Sequence, residues 1–488
     1  MTSWRKYILW FAQEHVDFRV QEFDSIVKMF GLQVRRITEQ TLKPFWLVEF
    51  SDLESALQYA SRSVSLRAMF ELYAHATNLP DFHHTLKSHV VRNQDALAEC
   101  FRPDTSFKIT VETYNKHFSQ REKVEKIESM DYLPIEGPVD LKNPQVEWWY
   151  IEFWGLDPTA VPREPEDILF GRLMASGQRH LIKELSLKRR KFIGNTSMDA
   201  QLSLLMANQA MVRDGDLVFD PFVGTGSLLV SAAKWGGYVL GADIDYMMVH
   251  ARCRPSRITQ KVREKDESIR SNLKQYGCAD RYLDIVVADF SNPLWHPRIL
   301  FDSIITDPPY GIREATEKVE TKSRAKENTK TDDMVHYPST SHYSLQSLYG
   351  DLLEFAARHL VPGGRLVCWL PFHRDDYDEK MLPEHQYLSL VANSEQPLTG
   401  NTARRLLTYE KSAEYCPPDR SLASAADMPA LPQNFRDRYF NNALESRKER
   451  RMRKAEQREQ GRVEMEARGK VPTDGRSKKC NLNKARFV

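Results

Sequence analysis

The sequence predicts an α/β protein in which an N-terminal α+β region precedes a doubly wound, mostly parallel sheet. Three observations carry this. Short apolar runs recur between residues 215 and 370 with helical stretches between them, the alternation of parallel sheets. One run feeds a glycine turn that opens a helix, an arrangement that lets a ligand approach the backbone. Four runs end on an aspartate, and ligands of such sheets lie beyond the C-terminal strand ends.

The elements follow in chain order. Residues 7–11 and 45–50 read as strands, 18–30 as a helix closed by Gly31, and 53–60 as a second helix. Residues 107–111 alternate like a strand, 120–130 form a charged helix, and 147–153 form an aromatic strand. Domain boundaries are expected at 1–175 for this region, 176–195 for a basic linker, 196–411 for the second domain and 412–488 for a charged tail. The linker carries Lys188, Arg189, Arg190 and Lys191 opposite apolar positions. That strip is a candidate RNA-phosphate contact or a solvated helix. Thr196 or Ser197 is expected to cap a helix running to about Ala210.

Residues 217–219 form the next strand, closed by Asp220, and Phe222-Val223-Gly224-Thr225-Gly226 turns into a helix from Ser227 to Lys234. The turn lacks the third glycine of a dinucleotide fingerprint and the Gly-Lys-Ser/Thr of a P-loop. It suits an adenosyl ligand without a pyrophosphate. The strand 238–242 ends at Asp243, about 20 positions after the glycine turn, where a ribose diol is gripped; Asp245 is the weaker choice. The strand 283–288 ends at Asp289-Phe290, a carboxylate for an adenine amino group and a ring for its face. Thr196, Ser197, Asp220, Phe222, Gly224, Gly226, Asp243, Asp289 and Phe290 are therefore the candidate cofactor contacts.

The strand 301–306 delivers Asp307-Pro308-Pro309-Tyr310-Gly311. The Asp307 carboxylate and the Pro308 carbonyl can both accept from an exocyclic amine, and neither proline offers a competing N–H. Tyr310 can stack on a base. Residues 314–343 are polar and expected to be mobile. A helix over 345–360, a strand over 365–370 and a last strand over 404–410 complete the reading.

Composition sets outer limits. A chain of 488 residues exceeds one compact core, and no apolar run reaches membrane-spanning length. Six cysteines form no Cys-x-x-Cys pair, so neither zinc nor a disulfide framework is expected. The net charge is +2, yet residues 445–488 hold 15 Lys/Arg against 7 Asp/Glu. A basic tail on a slightly acidic body fits phosphate contact or a nuclear address. A cytoplasmic location with a nuclear fraction is the expectation.

The order of elements resembles the class I S-adenosylmethionine-dependent methyltransferases, and residues 307–310 are similar to their amino-methyltransferase signature Asn/Asp-Pro-Pro-Tyr/Phe. Residues 106–113 and 139–144 look like a THUMP domain, an RNA-binding module of tRNA-modifying enzymes. With residues 190–199 and 307–314, they resemble the catalytic subunits of eukaryotic tRNA (guanine-N2) methyltransferases acting on guanosine 10. The resemblance spans roughly 1–410. It implies S-adenosylmethionine as cofactor, tRNA as substrate, catalytic roles for Asp307, Pro308, Pro309 and Tyr310, and a small zinc-binding activator subunit docked on the sheet edge. The alternatives are a DNA adenine or protein glutamine methyltransferase, a non-catalytic RNA-binding scaffold, or a nucleotide-binding dehydrogenase, which the missing third glycine disfavours.

Overall fold

The strands and helices assemble into two seven-stranded sheets and a short two-stranded pair. The computed structural model describes residues 4–38, 42–292, 294–312, 314–320 and 339–416. The charged tail beyond 416 and residues 321–338 of the polar insertion lie outside the described residues, so the expectations for them stand as made. The described residues all belong to one compact unit, residues 1–433. Among them, no helix is long and apolar enough to cross a membrane.

The first sheet contains β1 (Arg5–Phe11), β2 (Val34–Arg36), β3 (Phe45–Phe50), β4 (Leu66–Ala76), β5 (Phe107–Tyr114), β6 (Val146–Phe153) and β7 (Asp167–Ser176). Its order is β2-β3-β1-β4-β7-β6-β5. All neighbours are antiparallel except β5 and β6. The second sheet takes in β8 (Leu217–Asp220), β9 (Tyr238–Asp243), β10 (Tyr282–Val287) and β11 (Phe301–Thr306). The pair β12 (Glu317–Val319) and β13 (Thr340–His342) follows, and β14 (Leu360–His373), β15 (Leu388–Pro397) and β16 (Thr402–Lys411) return to the sheet.

The order of the second sheet is β10-β9-β8-β11-β14-β16-β15. The first five strands run parallel, and β16 runs antiparallel to both of its neighbours. Chain order reverses at β8, with β9 and β10 on one side and β11 and β14 on the other. The crevice beyond β8 and β11 is thus the topological switch point, where such sheets bind ligands.

The linker differs from its expectation. The solvated helix offered as one alternative is confined to His180–Glu184. Leu181, Leu185 and Phe192 turn into the core, which ties the segment down. The helix after it spans Ala200–Gln209, and its cap is Asp199 rather than Thr196 or Ser197. The Asp199 carboxylate accepts from the N–H groups of Gln201 and Leu202.

Every residue of Ala200–Gln209 is buried. A helix buried all round must be covered on both sides. Leu204, Leu205 and Met206 share a core with Val218, Ile305 and Trp369 of the second sheet, and Phe18 and Val64 of the N-terminal region enter the same core. Two polar residues inside this junction need partners. The Asn208 amide donates to Glu22 Oε1 at 2.7 Å and accepts from Arg62 Nε at 2.7 Å. Arg62 also donates to the Val212 carbonyl and lies over the Trp235 ring. Glu22 further accepts from the backbone N–H groups of Val64 and Ser65. Gln209 accepts from the Thr408 hydroxyl, and its carbonyl accepts from Arg365, which also reaches Ser25.

Asn208→Ala leaves Arg62 Nε buried without its acceptor. It is expected to lower the free energy of unfolding by about 2 kcal/mol, read from urea denaturation followed by tryptophan fluorescence. An unchanged midpoint would mean the junction does not depend on this amide.

Candidate active site

The glycine turn after β8 has the conformation its sequence requires. Gly224 and Gly226 hold φ of +49° and +73°, values that disfavour a side chain. A Cβ on Gly226 would also lie 2.6 Å from Ile269 Cγ2. At Gly224 the Cβ position meets nothing within 4 Å, so the turn presents bare backbone to open space. Gly226 caps the helix Ser227–Lys234.

A cleft of about 500 Å³ opens beside this turn. Phe222, Gly224, Asp243, Tyr246, Met248, Asp289, Phe290 and Pro309 line it, and Glu314, Val319, Thr340 and Tyr343 close a further side. Of the candidate cofactor contacts, Phe222, Gly224, Asp243, Asp289 and Phe290 therefore meet on one cavity. Asp243 holds the turn in place, since its Oδ2 accepts from Gly224 N–H at 2.8 Å and its Oδ1 from Asp245 N–H at 2.9 Å. One lone pair remains on each oxygen, enough for a pair of hydroxyls. Burial pushes its pKa up to about 6, although both backbone bonds oppose the shift. Asp245 caps the short helix Tyr246–Val249, which leaves the diol position to Asp243.

Asp289 is more heavily engaged. Its Oδ1 accepts from Ser291 N–H, and its Oδ2 from the Ser291 hydroxyl and Val319 N–H. The last bond fastens β12 over the cleft. Oδ1 keeps one lone pair for a ligand amine. Phe290 packs tilted against Phe222 with centroids 5.0 Å apart. An apolar slot between two carboxylate acceptors suits an adenosyl group, whose amine and ribose hydroxyls donate.

Four candidates sit outside the lining, Gly226 among them as the cap of the helix Ser227–Lys234. Asp220 is 1% exposed and does not reach the cleft. Its Oδ1 accepts from the Thr306 hydroxyl at 2.7 Å and Phe222 N–H at 3.1 Å, tying the ends of β8 and β11 together across the switch point. Burial raises its pKa to about 8. Thr196 bonds Glu314 instead of facing the cleft. Ser197 Oγ lies 2.6 Å from Thr225 Oγ1 and accepts from Gly194 N–H, behind the turn.

The basic strip is split by burial. Arg190 is fully buried, which rules out the expected RNA contact. Its Nη1 donates to Ser227 Oγ at 2.9 Å and its Nη2 to the Leu185 carbonyl, so it props the first residue of the helix behind the glycine turn. Lys191 is exposed but pairs with Asp266. Lys188 and Arg189 are exposed. Arg257 binds the carbonyls of Leu187, Arg190 and Lys191, fixing the loop that displays them.

Beyond β11, Pro309 lines the cleft while Asp307 and Tyr310 stand on its far side beside β16. Asp307 Oδ2 accepts from Arg404 Nη1 at 3.1 Å. Oδ1 is buried and has no hydrogen-bond partner, a state that costs free energy unless a ligand supplies the donor. Burial lifts the Asp307 pKa to about 6, against the pull of Arg404. Burial also lifts the Tyr310 hydroxyl to about 12, so it stays a neutral phenol. Glu314 pushes both Asp243 and Asp307 upward. Arg404 is the site residue that sequence reasoning misses. Its signal was an arginine two residues before the apolar pair Leu406-Leu407 of an expected core strand, where charge is seldom buried without a partner.

Comparisons with known proteins agree with this geometry. Residues 5–179 match the family described as Tmrp11 THUMP N-terminal domain, and residues 188–323 match the RMKL-like methyltransferase domain. The tRNA (guanine(10)-N(2))-methyltransferase TRMT11 of Gallus gallus is 43% identical over 441 residues, covering 90% of this chain and 95% of that one. The tRNA (guanine(10)-N(2))-methyltransferase of Saccharomyces cerevisiae is 32% identical over 449 residues, covering 90% and 99%. Among solved structures, TrmN from Thermus thermophilus covers 83% of this chain and 99% of its own at a TM-score of 0.42 and 18% identity, a likeness too loose to bear on function.

Asp243→Ala is expected to weaken binding of S-adenosylhomocysteine by about ten-fold or more, ~1.4 kcal/mol, in isothermal titration calorimetry. Unchanged affinity would remove Asp243 from the diol position.

Proposed function

This chain belongs to the tRNA (guanine(10)-N(2))-methyltransferase family, and on that premise we propose that it methylates N2 of guanosine 10 through a site built on Asp307, Pro308, Pro309 and Tyr310. It is an S-adenosylmethionine-dependent methyltransferase acting on guanine N2 in tRNA. The observation that carries the site assignment is the orphaned Asp307 Oδ1 beside an Oδ2 already held by Arg404.

When bound, S-adenosylmethionine supplies an electrophilic methyl group on a sulfonium. Phe222, Gly224, Asp243, Asp289 and Phe290 would hold it. Because the donor arrives activated, the protein's task is alignment, exclusion of water and control of the amine lone pair. The N2 lone pair of guanine is delocalised into the ring. Hydrogen bonds from the amine to Asp307 Oδ1 and the Pro308 carbonyl favour a more tetrahedral nitrogen with a usable lone pair. Tyr310 holds the base by stacking. A guanine paired in a stem must leave it to reach this site. Asp307 accepts the proton released as the amine is methylated.

Exposed Lys188 and Arg189 are in position for phosphate contacts, and the THUMP region supplies further RNA surface. The finer proposal concerns a partner. Among the described residues, the edge strand β10 pairs only with β9, and Leu283 and Val287 on it are 49% and 39% exposed. Ile244, just after β9, and Met247, on the helix Tyr246–Val249, are also exposed, at the rim of the cleft. An open, apolar strand edge invites another chain to add a strand. This supports docking of a small zinc-binding activator subunit there.

Asp307→Ala is expected to abolish methyl transfer to unmodified tRNA while leaving cofactor affinity intact, measured with radiolabelled S-adenosylmethionine and by calorimetry. A transcript with adenosine in place of guanosine 10 should accept no label; persistent label would move the target position. Because Asp307 works ionised and its pKa is raised to about 6, turnover should rise with pH through about 6 and be lost below it. Leu283→Lys with Val287→Lys should break copurification with the coexpressed activator while cofactor binding persists. A pair that survives both charges would place the partner elsewhere.

A further inference from the structure

A buried guanidinium is costly unless it is paired and hydrogen-bonded. Arg404, on β16, is 7% exposed, and its partners converge on the catalytic loop. Its guanidinium lies 3.9 Å from the Trp369 ring centroid. Nε donates to Gln396 Oε1 at 2.7 Å. Nη1 reaches Asp307 Oδ2 at 3.1 Å and the Tyr310 hydroxyl at 3.3 Å, and Nη2 faces Met198 Sδ at 3.3 Å. Arginine commonly grips a carboxylate with two parallel bonds. Here it takes one oxygen only, and the other oxygen of the same carboxylate is the buried, partnerless Oδ1.

We propose that Arg404 is the positioning residue for the target base: by holding Asp307 Oδ2 and the Tyr310 hydroxyl from one nitrogen, it sets the carboxylate and the ring in one arrangement and leaves Oδ1 as the acceptor for the incoming amine. The proposal rests on Asp307 being that acceptor. Arg404 acts through Asp307 and Tyr310 and makes no step of the transfer itself. A free carboxylate in this place would rotate about χ2, and the acceptor would lose its aim; misplacement by about 1 Å at a reacting centre costs on the order of 100-fold in rate.

The clamp has a rigid base. Trp369 is fully buried, donates through Nε1 to Met206 Sδ at 3.1 Å, and packs against Phe18 with centroids 5.9 Å apart. Met206 belongs to the fully buried helix and Phe18 to the N-terminal region. Arg404 therefore stands on a surface that the RNA-binding half of the chain helps to build.

Charge gives the clamp a readout that packing alone lacks. Among the described residues, the groups acting on Asp307 are Arg404 and Glu314; Tyr310, Tyr349, Cys368 and Asp220 also feel its charge. Arg404 is the one cation among these. Without it, the Asp307 pKa moves further up from about 6.

The test uses the full-length chain with tRNA transcript, in three variants beside the parent. Arg404→Met keeps an aliphatic stem over Trp369 and removes the charge and the fork. Its kcat is expected to fall about 100-fold, the acid limb of the kcat–pH profile to move to higher pH, and the S-adenosylhomocysteine dissociation constant to stay unchanged. Arg404→Lys should return the acid limb toward the parent's while kcat stays about ten-fold low, since an ammonium lacks the planar guanidinium that Trp369 and Gln396 hold in one orientation. A parental kcat in Arg404→Met, a fall in kcat with an unmoved acid limb, or loss of cofactor binding in both variants overturns the clamp. Asp307→Ala separates this from the reading beneath it. If that variant turns over, the acceptor assignment itself fails; if it is dead while Arg404→Met is normal, only the clamp fails.

Discussion

The helix Ala200–Gln209 is buried on every side, and the rest of the structure depends on keeping it so. The second sheet covers one flank. The N-terminal region covers the other, through the helix Arg19–Phe30 and the turn that carries Arg62 and Val64. Glu22, Arg62 and Asn208 satisfy one another in a place where water cannot. Removing the N-terminal flank would expose an apolar helix and strip Asn208 of both side-chain partners, and removing the sheet would expose the opposite face. The N-terminal region is thus part of the core of the catalytic sheet as well as an appended RNA-binding module.

That shared core reaches the chemistry by a short route. Met206 on the buried helix meets Trp369 on β14. Trp369 supports Arg404 on β16, and Arg404 holds Asp307 beyond β11. A second tie crosses the switch point lower down, where Asp220 at the end of β8 accepts from Thr306 immediately before Asp307. The loop Asp307–Tyr310 is therefore anchored at its root through Thr306 and along its length by Arg404.

The cleft gathers negative potential. Burial raises Asp220 to about 8, Asp243 to about 6 and Asp307 to about 6. At neutral pH, Asp243 and Asp307 remain mostly ionised and Asp220 mostly protonated. The carboxylates of Asp243, in the cleft, and Asp307, beside Arg404, keep their charge, and the strut at Asp220 gives it up. A sulfonium donor is cationic, so a cleft of this sign suits it before transfer and less so once the methyl group and its charge have left.

Much of the site was legible in the residues. Phe222-Val223-Gly224-Thr225-Gly226 had to turn with positive φ, and it does. Asp243, Asp289 and Asp307 had to fall at strand ends, and the parallel order puts all three at one end of the sheet, with Asp243 and Asp289 lining the cleft and Asp307 beside β16. Periods of 2 and 3.6, glycine stops and strand-terminal acids are local properties, so the sequence by itself determined the elements, the glycine turn and the carboxylates. Burial is a property of the assembled chain. Only the tertiary structure decided that Arg190 is a prop and not an RNA contact, that Asp220 faces inward, that Asp199 and not Thr196 caps the buried helix, and that β15 fills the edge beside β16. It alone places Arg404, 97 residues after Asp307, against that carboxylate, because the pairing arises where an antiparallel strand returns to the sheet and no local pattern encodes it.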